Sequence, residues 1–371
     1  MFSPTDLATF LGCAHATALD RAVAEGRLEK EYRADPTLDL LKELGERHEQ
    51  AYLDYLRSQG LTVVELPKFG DPTGEQTKEA MHSGADVIAQ ASLIDLPWRG
   101  FADFLIKVDQ PSELGEWAYE VADTKLSHAT KATAVLQLCL YTEIVTKIQG
   151  VQAERMHVVK PGDPFDIDSL RIDDFMAYYR MAKSQFEGRM AAEPDGRGVP
   201  EPCVHCGICD WWSRCNRQWR DVDHLTFVAG LSRSQRTELN EQGISTLKQF
   251  ALADKPLPEF PKRGSLDAFA KSQRQARVQL KGRRSGKPEY EFNDVEPERG
   301  FLKLPPPNEG DIYFDIEGNP RAMGDGIEYL LGYVVTDGGS LSYRERWALQ
   351  PNEEKLQFRE FIAFVMDRWR K

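Results

Sequence analysis

No stretch of the 371 residues approaches the ~18 consecutive apolar residues of a membrane span, and 29% of the chain is charged, so a soluble protein is expected. The opening residues, MFSPTDLATFLGCAHATALDRA, lack a basic leading region and a long apolar core. No secretory signal is expected from them, and a cytoplasmic protein is the default. Positive charge is also short, since 47 Lys and Arg stand against 59 Asp and Glu and leave a net charge of −12. That balance argues against a protein that coats nucleic acid through phosphate contacts. A nuclease stays open, because its metal ligands are acidic and its basic residues need only be gathered in one groove. Cysteine is scarce as well. The chain has six, too few for a disulfide scaffold, and four of them crowd into residues 203–215, which points to metal or cluster ligation. The length allows two or three domains at one per ~150 residues, with ample chain to bury a core.

What is present is organised around residues 100–141. An apolar segment carrying Asp103 is followed by turn formers at 110–115 and by a second apolar segment, 117–122, that ends in Asp123-Thr124-Lys125. This predicts a β-hairpin with two carboxylates and a lysine at strand positions. Lys125, two residues after Asp123, falls on the same side of its strand. Gln137 and Tyr141 stand four apart in a run with Ala134, Leu136, Leu138 and Leu140 that reads as helix, so both project from one helical face. Two strands and a helix then bring five polar groups to one place. Two acids on neighbouring strands suit a hard cation such as Mg²⁺ or Mn²⁺ and leave positions for water and phosphate. The lysine can orient the water or neutralise charge that builds on the phosphate. This is the logic of metal-dependent phosphodiester hydrolysis. The triplet by itself reads as a solvated pair, which is what most Asp-x-Lys triplets are.

Four ordered blocks carry more: GADVIAQA at 84–91, GFADFL at 100–105, YEVADTKL at 119–126 and LQLCLY at 136–141. Together they resemble the RecB-type nucleases of the PD-(D/E)XK superfamily, and among these the members found alone or fused ahead of a superfamily 1 helicase. The resemblance is strong over residues 1–220 and weaker beyond. It implies an α/β, restriction-endonuclease-like core with helical additions and a metal-dependent DNA nuclease, expected to work on ends or single strands in repair or recombination. DNA and a helicase are the implied partners. By the same resemblance Asp103 and Asp123 hold the metal with the Thr124 carbonyl, Lys125 positions water, and Gln137 and Tyr141 orient the site and the strand. A helix is predicted over 36–58, with His48 on a stripe of Leu41, Leu44, Ala51 and Tyr55, the ordinary place of a core histidine. Gly45-Glu46-Arg47-His48 resembles the glycine-then-histidine of these nucleases and implies an additional metal ligand. The rival, of a different class, is a DNA-end binding module that keeps the nuclease fold for grip without cleavage.

Elsewhere the sequence predicts a helix over 4–25 with Cys13 inside, a strand at 61–66, a helix at 77–84 and a strand at 85–93. The Gln137 helix should end near Gly150, followed by a strand at 155–159 and a helix at 171–193. A mixed sheet with flanking helices results. In EPCVHCGICDWWSRCNRQW, at 201–219, Cys206, Cys209 and Cys215 offer three soft thiolates in a C-x2-C-x5-C spacing. The fourth ligand is either Cys203, giving a local zinc knot, or Cys13. Resemblance to the iron–sulfur members of the group implies Cys13, Cys206, Cys209 and Cys215 around a 4Fe–4S cluster, with structural Zn²⁺ the alternative. Cys139 reads as a small buried hydrophobe.

Residues 225–253 read as helix, turn at 242–244, and helix. That is a plain αα-hairpin or a helix-hairpin-helix presenting backbone N–H groups to DNA phosphate. Residues 255–287 hold ten basic residues against two acidic ones, a local +8 that reads as a basic linker over 256–305 or as a DNA track. The expected domains are thus 1–220, 221–255, the linker 256–305, and 306–371. In the last, Asp315 and Glu317 stand two apart on an apolar strand, a hairpin turns at 337–339 and a helix covers 353–370. This is similar to the opening of a DEDD exonuclease domain of RNase H-like fold. The further acids of such a site would lie past residue 371, so this second site is expected to be incomplete.

Overall fold

The computed structural model describes residues 1–30, 36–68, 70–192, 199–254, 261–320, 322–323 and 326–370. They fall into two compact units, Met1–Glu289 and Tyr290–Lys371. The first begins with helices α1 (Pro4–Gly12), α2 (Ala14–Ala24) and α3 (Pro36–Ser58), strand β1 (Val63–Glu65) and helix α4 (Glu75–Ser83). Strands β2 (Val87–Asp95), β3 (Trp98–Val108) and β4 (Ala118–Thr124), helix α5 (Ala132–Gln149), strands β5 (Arg155–Pro161) and β6 (Phe165–Arg171) and helix α6 (Asp173–Ala191) follow. The six strands form one mixed sheet in sequence order. β1 and β2 run parallel, as do β4 and β5, and the remaining pairs are antiparallel. A parallel pair cannot be joined by a tight turn, and α5 is the crossover that joins β4 to β5.

The sheet is covered on both faces. On one, Tyr52, Leu53 and Leu56 of α3 pack on Val87, Ala89, Phe104, Ala122 and Val159. On the other, α5 is buried nearly all round, with Leu136, Leu138, Cys139, Leu140 and Ile144 against Ile88, Leu105, Val121 and Met156. A helix apolar on every side belongs in an interior, and α5 sits beneath α1 and α6. One irregularity runs through the sheet. Gln90, in the middle of β2, has φ 58°, the left-handed region a non-glycine residue rarely enters. The register pairs Ala89 with Phe104 and Ala91 with Ala102, which puts Gln90 opposite Asp103. Alternation switches there: Ala89 and Phe104 face α3, whereas Ala91 and Ala102 join the core beneath α5.

Several expectations are corrected. The helix expected over 4–25 is two helices, broken at Cys13, whose backbone is extended at φ −161° and ψ 98°. Gly12 ends the first where the chain passes His205, and a Cβ there would stand 3.1 Å from the imidazole. The buried face of α3 runs through Tyr52, Leu53 and Leu56 instead of Ala51, because Tyr52 packs edge-on against Phe104 and Phe165 at 5.2 and 5.1 Å. Strand β6 was not foreseen, since as an edge strand with half its residues exposed it lacks a clear apolar pattern. Residue 193, the expected end of α6, lies outside the described residues.

A 3-10 turn (Val204–Gly207) and α7 (Trp212–Asp221) carry the chain into a helical part. It comprises a second 3-10 turn (Leu225–Phe227), α8 (Arg233–Glu241), α9 (Leu247–Leu252) and α10 (Leu266–Ser285). Leu225, Leu239, Leu247, Phe250, Phe269, Ala276 and Leu280 form its core. The first helix of the expected hairpin therefore starts at 233, where Ser232 and Gln235 close a capping box, and not at 225. The expected linker holds a 20-residue helix, anchored by Phe269, Ala276 and Leu280. The second unit pairs β7 (Ile312–Asn319), β8 (Ile327–Asp337) and β9 (Ser340–Trp347) antiparallel in that order, and α11 (Pro351–Arg370) places Phe361 against Leu331, Tyr333 and Val335. Among the described residues no helix is long and apolar enough to cross a membrane.

Candidate active site

The polar residues singled out on the hairpin and on α5 meet where the middle of β3, the end of β4 and the first half of α5 come together. Asp103 is half-buried, and one of its oxygens accepts from the Thr124 backbone N–H at 2.8 Å and from the Thr124 hydroxyl at 2.7 Å. Asp123 is 1% exposed. The Lys125 ammonium donates to one of its oxygens, and Gln137 approaches the other at 3.4 Å. Gln137 also donates to the Tyr141 hydroxyl at 3.1 Å, the i, i+4 pair that one helical face allows. Tyr141 in turn is seated on β3 through Gly100, where a Cβ would stand 2.4 Å from its ring.

The electrostatics follow from burial. Loss of water, and then the neighbouring Asp103 charge, push the Asp123 carboxyl well above the usual carboxylate range. Burial also works against the Lys125 charge, but Asp123 and Asp103 outweigh it and hold the ammonium above its ordinary value. Two carboxyls side by side with one lysine form a site in excess of negative charge, which a cation would relieve.

His48 lies on α3, half-buried, with Nε2 3.2 Å from the Val159 carbonyl. The same carbonyl accepts from the Lys125 backbone N–H at 2.9 Å, so the histidine is tied to the end of the Asp-Thr-Lys strand. With Nε2 carrying the proton, Nδ1 keeps its lone pair, the state in which imidazole ligates a metal while donating to a carbonyl. The donor types fit a hard cation, yet among the described residues no three His, Cys, Asp or Glu side chains stand closed around one point.

Two residues at this place were not singled out from the sequence. Glu49, next to His48, accepts from the Gln90 side chain, and burial followed by the Asp103 charge pushes its carboxyl up. Gln90 belongs to the block at 84–91, and that was the signal for it; nothing in a helix-patterned Glu49 announced it.

The thiols also gather. Cys13, at the break between α1 and α2, packs with Cys206, Cys209 and Cys215 among Ala16, Leu19, Trp211 and Trp219. Cys203 stands with them, its sulfur 3.9 Å from that of Cys206. Asp20 of α2 accepts from the Trp211 indole at 3.0 Å, and Lys30 bridges to Asp210 at 3.0 Å, so the amino-terminal helices are strapped to the cysteine segment. Burial pushes the Cys215 thiol up to about 12 and raises Cys13, Cys206 and Cys209 as well. A soft metal would reverse that by binding the thiolates. Cys139 is fully buried in the core of α5.

The hairpin around Gly243 does not offer the donors expected of it. The Leu247 and Lys248 N–H groups are taken by the backbone and side chain of Asp223 at 2.9 and 2.8 Å, and Gln249 N–H by the Thr246 hydroxyl at 3.0 Å. Four of the ten basic residues of the stretch are answered too, Lys262 by Glu241, Lys271 by Asp267, Lys281 by Glu289, and Arg283 by Asp223. Lys255 and Glu259 lie outside the described residues. In the second unit Asp315 and Glu317 are exposed on β7, while Phe314, one residue before Asp315 and so on the opposite side of the strand, stacks on Phe361 at 4.4 Å, which turns both acids away from α11.

No protein-family model and no curated protein matches the chain.

Proposed function

We propose that the chain is a Mg²⁺- or Mn²⁺-dependent deoxyribonuclease of the RecB-type PD-(D/E)XK class, acting on DNA ends or single strands in repair or recombination. The observation that carries this reading is the meeting of Asp103, the buried Asp123, Lys125, Gln137 and Tyr141 on two neighbouring strands and one helix. Asp103, Asp123, the Thr124 carbonyl and His48 would hold the ion, which when bound supplies Lewis-acid polarisation of the phosphate and of the attacking water. The chain's own residues do the rest. Thr124 fixes the orientation of Asp103, and Lys125 keeps a positive charge where negative charge grows on the phosphate as its ester bond breaks. Gln137 and Tyr141 hold the Asp123 side of the site from the helix.

The cysteine cluster is proposed to carry 4Fe–4S on Cys13, Cys206, Cys209 and Cys215, because Cys13, from the other end of this region, packs with that trio. One observation favours zinc instead. The 3.9 Å between the Cys203 and Cys206 sulfurs is close to the ~3.8 Å edge of a tetrahedron of thiolates at ~2.3 Å from the ion. In the second unit Asp315 and Glu317 are proposed as the first two carboxylates of an RNase H-like site, without activity of their own. The expected setting is the cytoplasm, with a helicase as partner.

Incubation of end-labelled single- and double-stranded DNA with anaerobically purified protein, in Mg²⁺, Mn²⁺ or EDTA, tests the reading. Metal-dependent cleavage by the wild type and none by Asp123→Asn is expected. Binding without cleavage under every metal would replace the nuclease by a DNA-end binding module.

A further inference from the structure

Beside the candidate site a cavity of 310 Å³ opens between the start of α1, the loop after Lys125 and the first turn of α5. Resting on the nuclease reading, we propose that it binds the one nucleotide adjoining the bond to be cut, with that nucleotide's phosphate on Lys131 and Thr133.

Position is the first argument. Lys125 and Gln137 line this cavity as well as the candidate site, so a group that fills it is one covalent step from a phosphate held there. Charge is the second. Lys131 is exposed on the cavity rim and forms no ion pair among the described residues, unlike Lys125, which is bound to Asp123. The Thr133 hydroxyl likewise has no hydrogen-bond partner among the described residues, so a cation and a neutral donor face the same space. A phosphate takes both kinds of partner, and charge-assisted bonds of this kind are the strong ones. Lys131 also occupies the cap position of α5 without a side-chain bond to the first turn, which adds open N–H groups on that side.

Shape is the third. Pro4, Ala8 and Ala129 give the opposite walls small apolar surfaces, suited to the flat, weakly polar faces of a sugar and base. The volume lies at the low end of the ~300–1,000 Å³ of small-ligand sites. That volume suits one nucleotide of a single strand. The phosphate has two chemical settings, a terminal monoester or the next internal diester, and both present non-bridging anionic oxygens to Lys131.

The test is fluorescence anisotropy of a labelled octathymidylate in EDTA, with wild type, Lys131→Glu, and Ala129→Trp, which fills the cavity from an exposed position. Both substitutions should weaken binding about tenfold at unchanged melting temperature, Lys131→Glu as loss of one charged hydrogen bond would and Ala129→Trp by taking the space of the sugar and base. Lys131→Glu should also flatten the salt slope by ~0.7, the share of one single-strand phosphate contact. Unlabelled blunt duplex should compete poorly. Competition by octathymidylate with and without a terminal phosphate separates the two settings: a preference for the phosphorylated end assigns the monoester, equal competition the internal diester. Wild-type affinity and slope in both variants would overturn the pocket, and wild-type cleavage in Mn²⁺ would then leave the nuclease reading standing. Weakened binding in the variants with no cleavage by the wild type under any metal has the opposite meaning, since the pocket stands and the nuclease reading falls.

Discussion

Thr124 donates twice to a single oxygen of Asp103, once from its backbone and once from its hydroxyl, at 2.8 and 2.7 Å. The two residues lie on adjacent strands, so the clamp sets the β3 carboxylate against the end of β4. Thr124→Val keeps the branched shape and the N–H but removes the hydroxyl. Cleavage should fall by ~10- to 100-fold with a higher Mn²⁺ requirement, the usual cost of losing a group that orients a ligand. Thr124→Ser should restore most of it. A Mn²⁺ titration of single-turnover cleavage reads this directly, and an unchanged curve for Thr124→Val would leave the clamp without a role.

Lys125→Ala removes the charge beside a carboxyl that is almost wholly buried. Cleavage should drop by at least ~10²-fold, since a preorganised charge at the phosphate is lost. Asp103→Ala should do the same, with circular dichroism unchanged in both. His48→Ala should raise the metal requirement more than it weakens DNA binding. Wild-type rates in a folded Lys125→Ala protein would remove that residue from the chemistry.

For the cysteines the two metals predict opposite results. Under the 4Fe–4S reading, Cys13→Ser bleaches the visible absorption of anaerobically prepared protein and lowers its melting temperature, because site assembly is coupled to folding. Cys203→Ser does neither. A zinc site predicts a colourless protein with about one zinc per chain, released by Cys203→Ser and indifferent to Cys13→Ser. Metal analysis with a visible spectrum of both variants decides.

Arg283 is bound to Asp223, whose backbone and side chain also hold the start of α9. Its loss should therefore show in stability, at the ~0.2–1 kcal/mol of an exposed pair, and leave DNA affinity and its salt dependence alone. Arg284 and Lys287 have no such acid in reach among the described residues. If the basic stretch touches DNA, Arg284→Ala with Lys287→Ala is the combination that flattens the salt slope, by ~0.9 per contact on duplex. Equal slopes for the double variant and the wild type would remove the stretch from the DNA path.

The hairpin and its Asp-Thr-Lys end were legible because they are local: strand alternation and turn formers fix which side each group takes. The same holds for Gln137 and Tyr141, whose spacing is the helix repeat. The rest depended on partners distant in sequence. Nothing in the residues around Gly243 reveals that Asp223 takes the N–H groups of α9. The charge of 255–287 outweighs in the pattern the well-spaced Phe269, Ala276 and Leu280, which anchor the 20-residue packed helix of that stretch. The break at Cys13 is likewise decided by what lies across from it, the 203–215 segment.

The left-handed turn of backbone at Gln90 gives β2 and β3 a double membership. On one side of the Gln90–Asp103 position the strands alternate, with Ala89 and Phe104 in the core under α3 and Ile88 and Leu105 in the core under α5, and on the other side Ala91 and Ala102, which unbroken alternation would place under α3, join the core under α5. The two cores are therefore not separately adjustable. A volume change beneath α3, at Phe104 for example, bears within two residues on Ala102 and on the layer that seats Gln137 and Tyr141. Core substitutions on the two faces should then be non-additive in stability, as neighbours are and distant sites are not. Asp103 stands at the pivot of that exchange.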